Sequence, residues 1–148
     1  MSKVKKDPYE LAIKESKKKN RDDEKIFLLL NESLENGDPR AAYSLGTWYL
    51  QGKFVKKNLR KAIQLIKIAA KAKVSDALFD LAVCYEQGIG VKKNEKLAVE
   101  NYLQAAFYGD AQAHHEVGLC YLYGVGVEKD RRVAEIWFEH AADLGIDQ

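Results

Sequence analysis

Two short runs in this chain carry glycines spaced as in a phosphate cradle, Gly88-Ile89-Gly90 and Gly124-Val125-Gly126. A phosphate loop needs a preceding strand and a G-x-G-x-x-G or Walker spacing, so that backbone N–H groups converge on the anion. Here the third glycine position holds Lys93 or Lys129, and a helical pattern precedes each run. These glycines therefore read as punctuation between helices, not as a nucleotide site. Asp80 and Glu116 invite an acid–base reading. They lie 36 residues apart at equivalent positions of neighbouring segments, which puts their backbones roughly one helix spacing, ~10 Å, from each other. No nucleophile or oxyanion donor accompanies them, so catalysis is not expected. Cys84 and Cys120 share that separation, beyond the ~7 Å limit for an unstrained disulfide, and read as small apolar residues. His114 and His115 project about 100° apart on a helix with no third ligand at metal spacing. The expectation is a chain without enzyme activity, metal or cofactor.

The elements that carry these residues repeat. In blocks of 36, the sequence from residue 38 to 145 aligns without gaps. Ala41, Ala77 and Ala113 fall in register, as do Tyr49, Tyr85 and Tyr121, then Gly52, Gly88 and Gly124, then Val55, Val91 and Val127. The pairs Ala69-Ala70, Ala105-Ala106 and Ala141-Ala142 follow. A fixed period of this length marks stacked units in place of one globular core. Within a block, Ala41, Leu45 and Tyr49 form a helical stripe. Asp38-Pro39 supplies a cap and a first-turn proline, and Gly52 ends the helix. Asn58, Asn94 and Asp130 read as caps of a second helix running through Ala62, Leu65, Ile66 and the alanine pair. Gly37, Gly109 and Gly145 close such helices, with Lys73 where the remaining glycine would stand. A lone helix pair cannot bury its apolar face, so the pairs must stack. The predicted fold is an all-α, right-handed α/α solenoid of antiparallel helix pairs. Its divisions are a basic flexible tail over 1–7, a capping helix and degenerate half-repeat over 8–37, and repeats over 38–73, 74–109 and 110–148, the last with a short C-terminal tail.

A chain of 148 residues suits one domain. The net charge of +2 makes no global demand for nucleic acid. Residues 1–21 hold eight Lys or Arg against Asp7, Glu10 and Glu15, a local balance of +5, read as a solvated arm. No apolar segment follows the first lysines, so no secretory signal is expected. The run Ile26–Leu30 is far short of the ~20 residues that span a bilayer. Two cysteines make no disulfide framework. The expected compartment is the cytoplasm, without membrane contact.

The segments "AAYSLGTWYLQG", "ALFDLAVCYEQGIGVKKNEKLAVENYLQAAFYG" and "AQAHHEVGLCYLYGVGVEKDRRVAEIWFEHAADLG" resemble the Sel1-like repeat family, relatives of the tetratricopeptide solenoids. The chain departs from the family pattern at Phe54 (second glycine), Ala82 (small residue after leucine) and Val117 (leucine). The resemblance implies a non-enzymatic adaptor that binds other proteins, in bacteria often in signalling or in dealings with hosts and competitors.

In stacked helix pairs the first helices line the concave side, and positions that vary between repeats are free for a partner. The variable stripe reads Arg40, Ser44, Thr47, Trp48 and Gln51 in the first repeat. It reads Asp76, Asp80, Val83, Cys84 and Gln87 in the second, and Gln112, Glu116, Leu119, Cys120 and Tyr123 in the third. Such a face suits a peptide or protein element with a basic residue beside an apolar anchor. Trp48 is the sharpest candidate anchor, weighed against packing between units; Trp137 and Phe138 read as core. An inhibitor that neutralises a toxin or enzyme with the same face is the alternative. The turn lysines Lys53, Lys56, Lys57, Lys92, Lys93 and Lys129 form a basic edge read as solvated loops, because no interleaved aromatics would stack bases. The last repeat is expected to leave a stacking face open, which would pair with a second copy, giving a homodimer, or with a partner.

Overall fold

The computed structural model describes residues 6–146. It contains α1 (Pro8–Ser16), α2 (Asp23–Glu35), α3 (Pro39–Gln51), α4 (Leu59–Lys71), α5 (Ser75–Gln87), α6 (Glu95–Phe107), α7 (Ala111–Tyr123) and α8 (Arg131–Asp143), with no strand among the described residues. The helices form two compact units that divide within α4, after Ile68. The anticipated basic tail lies outside the described residues except for Lys6 and Asp7. Asp7 is not loose: its carboxylate accepts the Tyr9 N–H at 2.9 Å and caps α1.

In the first unit, α1 and α2 pack as a hairpin and α3 lies against α2. Asp22, Asp38 and Asn58 cap α2, α3 and α4 through Lys25, Arg40 and Lys61 N–H groups, each satisfying a donor that the helix itself cannot. The turn between α1 and α2 closes on a buried carboxylate. Glu15 takes Lys18 at 2.8 Å, Lys25 at 3.6 Å and the Asp22 N–H at 3.2 Å. The Lys18 bond foremost, then the Asp22 N–H, hold that carboxyl below its usual range. The core gathers Ala12, Ile26 and Leu30 from the hairpin with Ala41, Leu45, Trp48 and Leu65. Small residues set how closely the helices approach: a Cβ on Gly46 would stand 2.8 Å from the Ile66 side chain.

In the second unit, α6 packs on both α5 and α7, and α8 on α7. Ala82, Ala98, Val99, Tyr102, Val117 and Cys120 form its core. Gly118 faces the Phe138 ring, where a Cβ would come within 2.6 Å.

The turns inside the repeats are copies of one another. Gly52, Gly88 and Gly124 take left-handed φ of 71°, 72° and 71°. The N–H groups of Asn58, Asn94 and Asp130 then donate to the carbonyls of Tyr49, Tyr85 and Tyr121 at 2.9, 2.8 and 2.8 Å. The register imposes this path even where glycine is absent. Among the described residues the non-glycine positions with positive φ are Phe54 (62°) and Lys73 (66°), two of the places where the repeat substitutes another residue for glycine, and those whose glycine counterparts are left-handed. An L-residue pays roughly 1–2 kcal/mol for left-handed backbone. Phe54 has a return on this, since its ring meets Phe27 at 5.4 Å and Trp48 at 6.0 Å. Lys73 has weaker contacts, to Gln104 at 3.1 Å and over Tyr108 at 5.9 Å. The next residue departs as well: Val74 begins α5 with no side-chain cap, where Asp38 and Asp110 begin α3 and α7.

Restoring Gly-Asp at 73–74, as at 37–38 and 109–110, is expected to stabilise the chain by about 1–2 kcal/mol, read as a higher thermal midpoint. Gly126 tests packing in the α7–α8 turn, because a Cβ there would overlap the Glu95 carbonyl oxygen. Gly126→Ala is expected to cost about 3 kcal/mol. Gly88→Ala meets nothing nearer than 3.5 Å and is expected to cost only the backbone strain, about 1 kcal/mol.

Candidate functional site

The first-helix residues singled out by the sequence divide between the two units. In the first unit, Arg40, Ser44 and Trp48 face the α1–α2 hairpin. The Arg40 guanidinium lies 4.1 Å over the Tyr9 ring and pairs with Asp38 at 2.7 Å and Asp7 at 3.2 Å. The Arg40 bond chiefly holds the Asp38 carboxyl below its usual range. Ser44 lines a small cavity with Ala12, Ile13 and Trp48, and its carbonyl accepts the Thr47 hydroxyl at 2.7 Å. Trp48 is 7% exposed. Its ring stacks on Phe27 at 6.1 Å and meets Phe54 edge-on, with the Lys53 ammonium 5.0 Å above it. The expected anchor is thus a core residue, because Phe27 and the phenylalanine that replaces a glycine enclose it. Gln51 is exposed.

In the second unit, Asp76, Gln87, Gln112 and Tyr123 are exposed, and Asp80, Val83, Glu116 and Leu119 are half-buried. Tyr123 presents 69% of its surface. Cys84 and Cys120 belong to the core at 2% exposure, not to a groove. Burial, with Asp80 adding, pushes the Cys84 thiol up to about 11. Burial, then Glu86 and Glu116, push Cys120 up to about 12. Both thiols stay protonated and poorly nucleophilic near neutral pH.

Glu86 is the residue that the sequence reading missed. It belongs to α5, and its carboxylate accepts the Tyr102 hydroxyl at 3.4 Å. Burial first, and then the negative charge of Glu116 on α7, raise its carboxyl above the usual range, with Glu95 adding to this; Lys93 is the weakest influence. Burial followed by the Glu86 charge in turn keeps the Tyr102 phenol protonated. A signal was available: one repeat away on either side, the same position is Leu50 or Leu122. A carboxylate replacing leucine is a departure from the repeat, and it sets Glu86 close enough to Glu116 for their charges to repel.

The remaining ionisable groups make no metal centre, since no group of three or more His, Cys, Asp or Glu able to hold a metal occurs among the described residues. His114 is seated by its Nδ1–H, which donates to the Asp110 carbonyl at 3.1 Å; a carbonyl oxygen only accepts, so the proton lies on Nδ1. Its ring stands 5.7 Å from Trp137 and 6.4 Å from His140. His115 instead faces Phe138 at 5.3 Å. Trp137, expected in the core, is half-buried, one side on the second unit's core and the other lining a surface groove. Lys56, Lys57, Lys92, Lys93 and Lys129 are exposed on their turns. None of the described helices is long and apolar enough to cross a membrane.

Helix pairs with one repeated turn geometry, and first helices carrying the variable side chains, define an all-α solenoid repeat protein. The Sel1 repeat profile matches residues 39–74, 75–106 and 111–146, and the chain belongs to that family. Sel1 repeats are generally non-catalytic protein–protein interaction modules. The fold is shared with a Sel1 repeat protein from Oxalobacter formigenes, at 29% identity and a TM-score of 0.84 over 93% of this chain and 58% of that one. A protective antigen with an SLR fold from uropathogenic Escherichia coli, c5321, aligns at 28% identity and a TM-score of 0.88, over 93% of this chain and 30% of that one. Cysteine-rich protein B of Helicobacter pylori aligns at 31% identity and a TM-score of 0.64, over 69% of this chain and 77% of that one. The chain thus spans 58% and 30% of the first two relatives. No curated protein matched it in sequence.

The repulsion at Glu86 has a measurable consequence. A carboxyl raised in the folded state penalises folding above that raised value, and the penalty fades as pH falls toward the unfolded value. Glu86→Gln, which keeps an acceptor for Tyr102, is therefore expected to raise the thermal midpoint at pH 7. Its advantage should shrink as pH is lowered toward 4.5, the ordinary glutamate value.

Proposed function

We propose that this chain is a non-enzymatic binding module whose second unit grips a partner protein through the first-helix face of α5 and α7. The partner segment carries a lysine or arginine beside an apolar side chain. The observation that carries this reading is the raised Glu86 carboxyl, held up by burial and by Glu116. The Glu116 charge disfavours the ionised form of Glu86, and a partner ammonium or guanidinium supplies the cation that offsets it. Asp80 and Asp76 extend the negative charge along α5. Val83, Leu119 and the 69%-exposed Tyr123 offer apolar contact on the same two helices. Tyrosine suits this role because it brings a large rigid surface with a polar end. Arg40, Ser44, Thr47 and Trp48 take little part, as their contacts lie within the first unit.

Affinity capture with the whole chain, followed by calorimetry on the partner recovered, tests the reading. Glu86→Gln/Glu116→Gln is expected to weaken binding about tenfold or more, equivalent to about 1.4 kcal/mol, and Tyr123→Ala to weaken it similarly. A partner that binds these variants as tightly as the wild type would remove the α5–α7 face from consideration.

A further inference from the structure

Glu86 is not alone in departing from the repeat. Its hydrogen-bond donor, Tyr102 of α6, stands where the repeat before has Ile66 and the repeat after has Phe138. The two changes fall in one repeat and meet each other. Where the chain has leucine at 50 or 122 it has no hydroxyl at 66 or 138, and where it has a carboxylate at 86 it has a phenol at 102. Tyr102 is 1% exposed, and its ring packs edge-on against Phe79 at 5.4 Å. Ile66 and Phe138 show that the fold fills this position without a polar atom, so packing asks for the ring or an aliphatic chain and not for the hydroxyl. A buried hydroxyl needs a partner. This one donates to Glu86 Oε2 at 3.4 Å, a long bond strengthened by the charge of its acceptor.

The groups around Glu86 define what that bond does. Burial, Glu116 on α7 and Glu95 at the start of α6 disfavour its ionised form. The Tyr102 bond and Lys93 favour it, and Tyr102 is the stronger of the two. Cys120 of α7 senses the same acids but keeps its proton, so it adds no charge. Tyr102 is fixed by Phe79 and by the second unit's core, and it engages one carboxylate oxygen, Oε2. We infer that Tyr102 is a positioning residue for the α5–α7 face: its hydroxyl holds Glu86 in the orientation that meets a partner's lysine or arginine. The identity of that cation rests on the partner reading above, whereas the coupling of Tyr102 to Glu86 does not.

Tyr102→Phe tests this with the residue type that the repeat already carries at 138, so the fold is retained. The side-chain carboxyl carbon of Glu86 is followed by NMR through a pH titration of the full chain. Losing a bond to the ionised form lets a carboxyl take up its proton at higher pH. The Glu86 midpoint is therefore expected to rise in Tyr102→Phe, while that of Glu15 in the first unit stays in place; a ring that only packs would move neither. In a second arm, acetyl-Lys-Leu-Phe-amide and acetyl-Gln-Leu-Phe-amide are titrated into both proteins at pH 7.5 and read on the amides of α5 and α7. The lysine peptide is expected to bind Tyr102→Phe about threefold or more weakly than wild type, and the glutamine peptide to bind both alike. Thermal midpoints supply a third readout. Glu86→Leu restores the repeat's residue but strands the Tyr102 hydroxyl, so it is expected to be less favourable in the wild type than in Tyr102→Phe. An unmoved Glu86 midpoint, additive thermal effects, or a lysine peptide that binds wild type and variant equally tightly would overturn the inference. Wild-type α5 and α7 amides that ignore the lysine peptide, with the Glu86 midpoint raised in the variant, would instead overturn the partner reading and support the coupling of Tyr102 to Glu86.

Discussion

Each repeat is organised by how its first helix ends. The chain leaves that helix in a left-handed conformation, and the cap of the second helix returns an N–H to the carbonyl of a tyrosine in the first. The bond recurs at 2.9, 2.8 and 2.8 Å from Asn58, Asn94 and Asp130. One hydrogen bond thus ties both helices of a pair to the same turn. Small residues then become necessary where the helices meet, since the turn leaves no freedom to move apart. Gly126 is the extreme case, with its Cα against the Glu95 carbonyl so closely that no side chain fits.

This constraint explains why the fold was legible. Left-handed backbone, close approach and capping each demand a narrow class of residue, so glycine, alanine and Asn or Asp recur at fixed spacing and expose the helix pairs. The departures were legible too. Phe54 and Lys73 break the glycine pattern, and both adopt the left-handed angles regardless, at 62° and 66°. Surrounding structure outvotes local preference at those positions, as expected when neighbouring bonds over-determine the backbone.

The binding surface was less legible, for a physical reason. A stripe that varies between repeats was read as open to a partner, but variation has two sources. A residue also varies when its neighbour varies. Arg40 answers to Tyr9 and Asp7, and Trp48 to Phe27 and Phe54, all particular to the first unit. Cys84 and Cys120 vary little and are buried at 2% exposure, since the position eight residues along the stripe is a core position in each repeat. Spacing places residues on one face of a helix without saying what covers that face.

A better criterion is the cost of a departure. Variation from one polar residue to another at a solvated position is nearly free and carries little information. Leucine replaced by Glu86 puts a carboxylate beside another acid in a half-buried site, where burial and the Glu116 charge disfavour its ionised form. Lysine, aspartate, glutamine or glutamate replaced by Phe107 and Ile136 exposes apolar surface that gains nothing from water. Both departures work against the stability of the free protein, and in opposite senses, one adding charge where the repeat is apolar and the other removing it where the repeat is charged. The repeats supply the reference within a single molecule: the same backbone, carrying other residues, shows what the fold alone requires at each position. What exceeds that requirement at a stability cost is best accounted for by contact with another molecule.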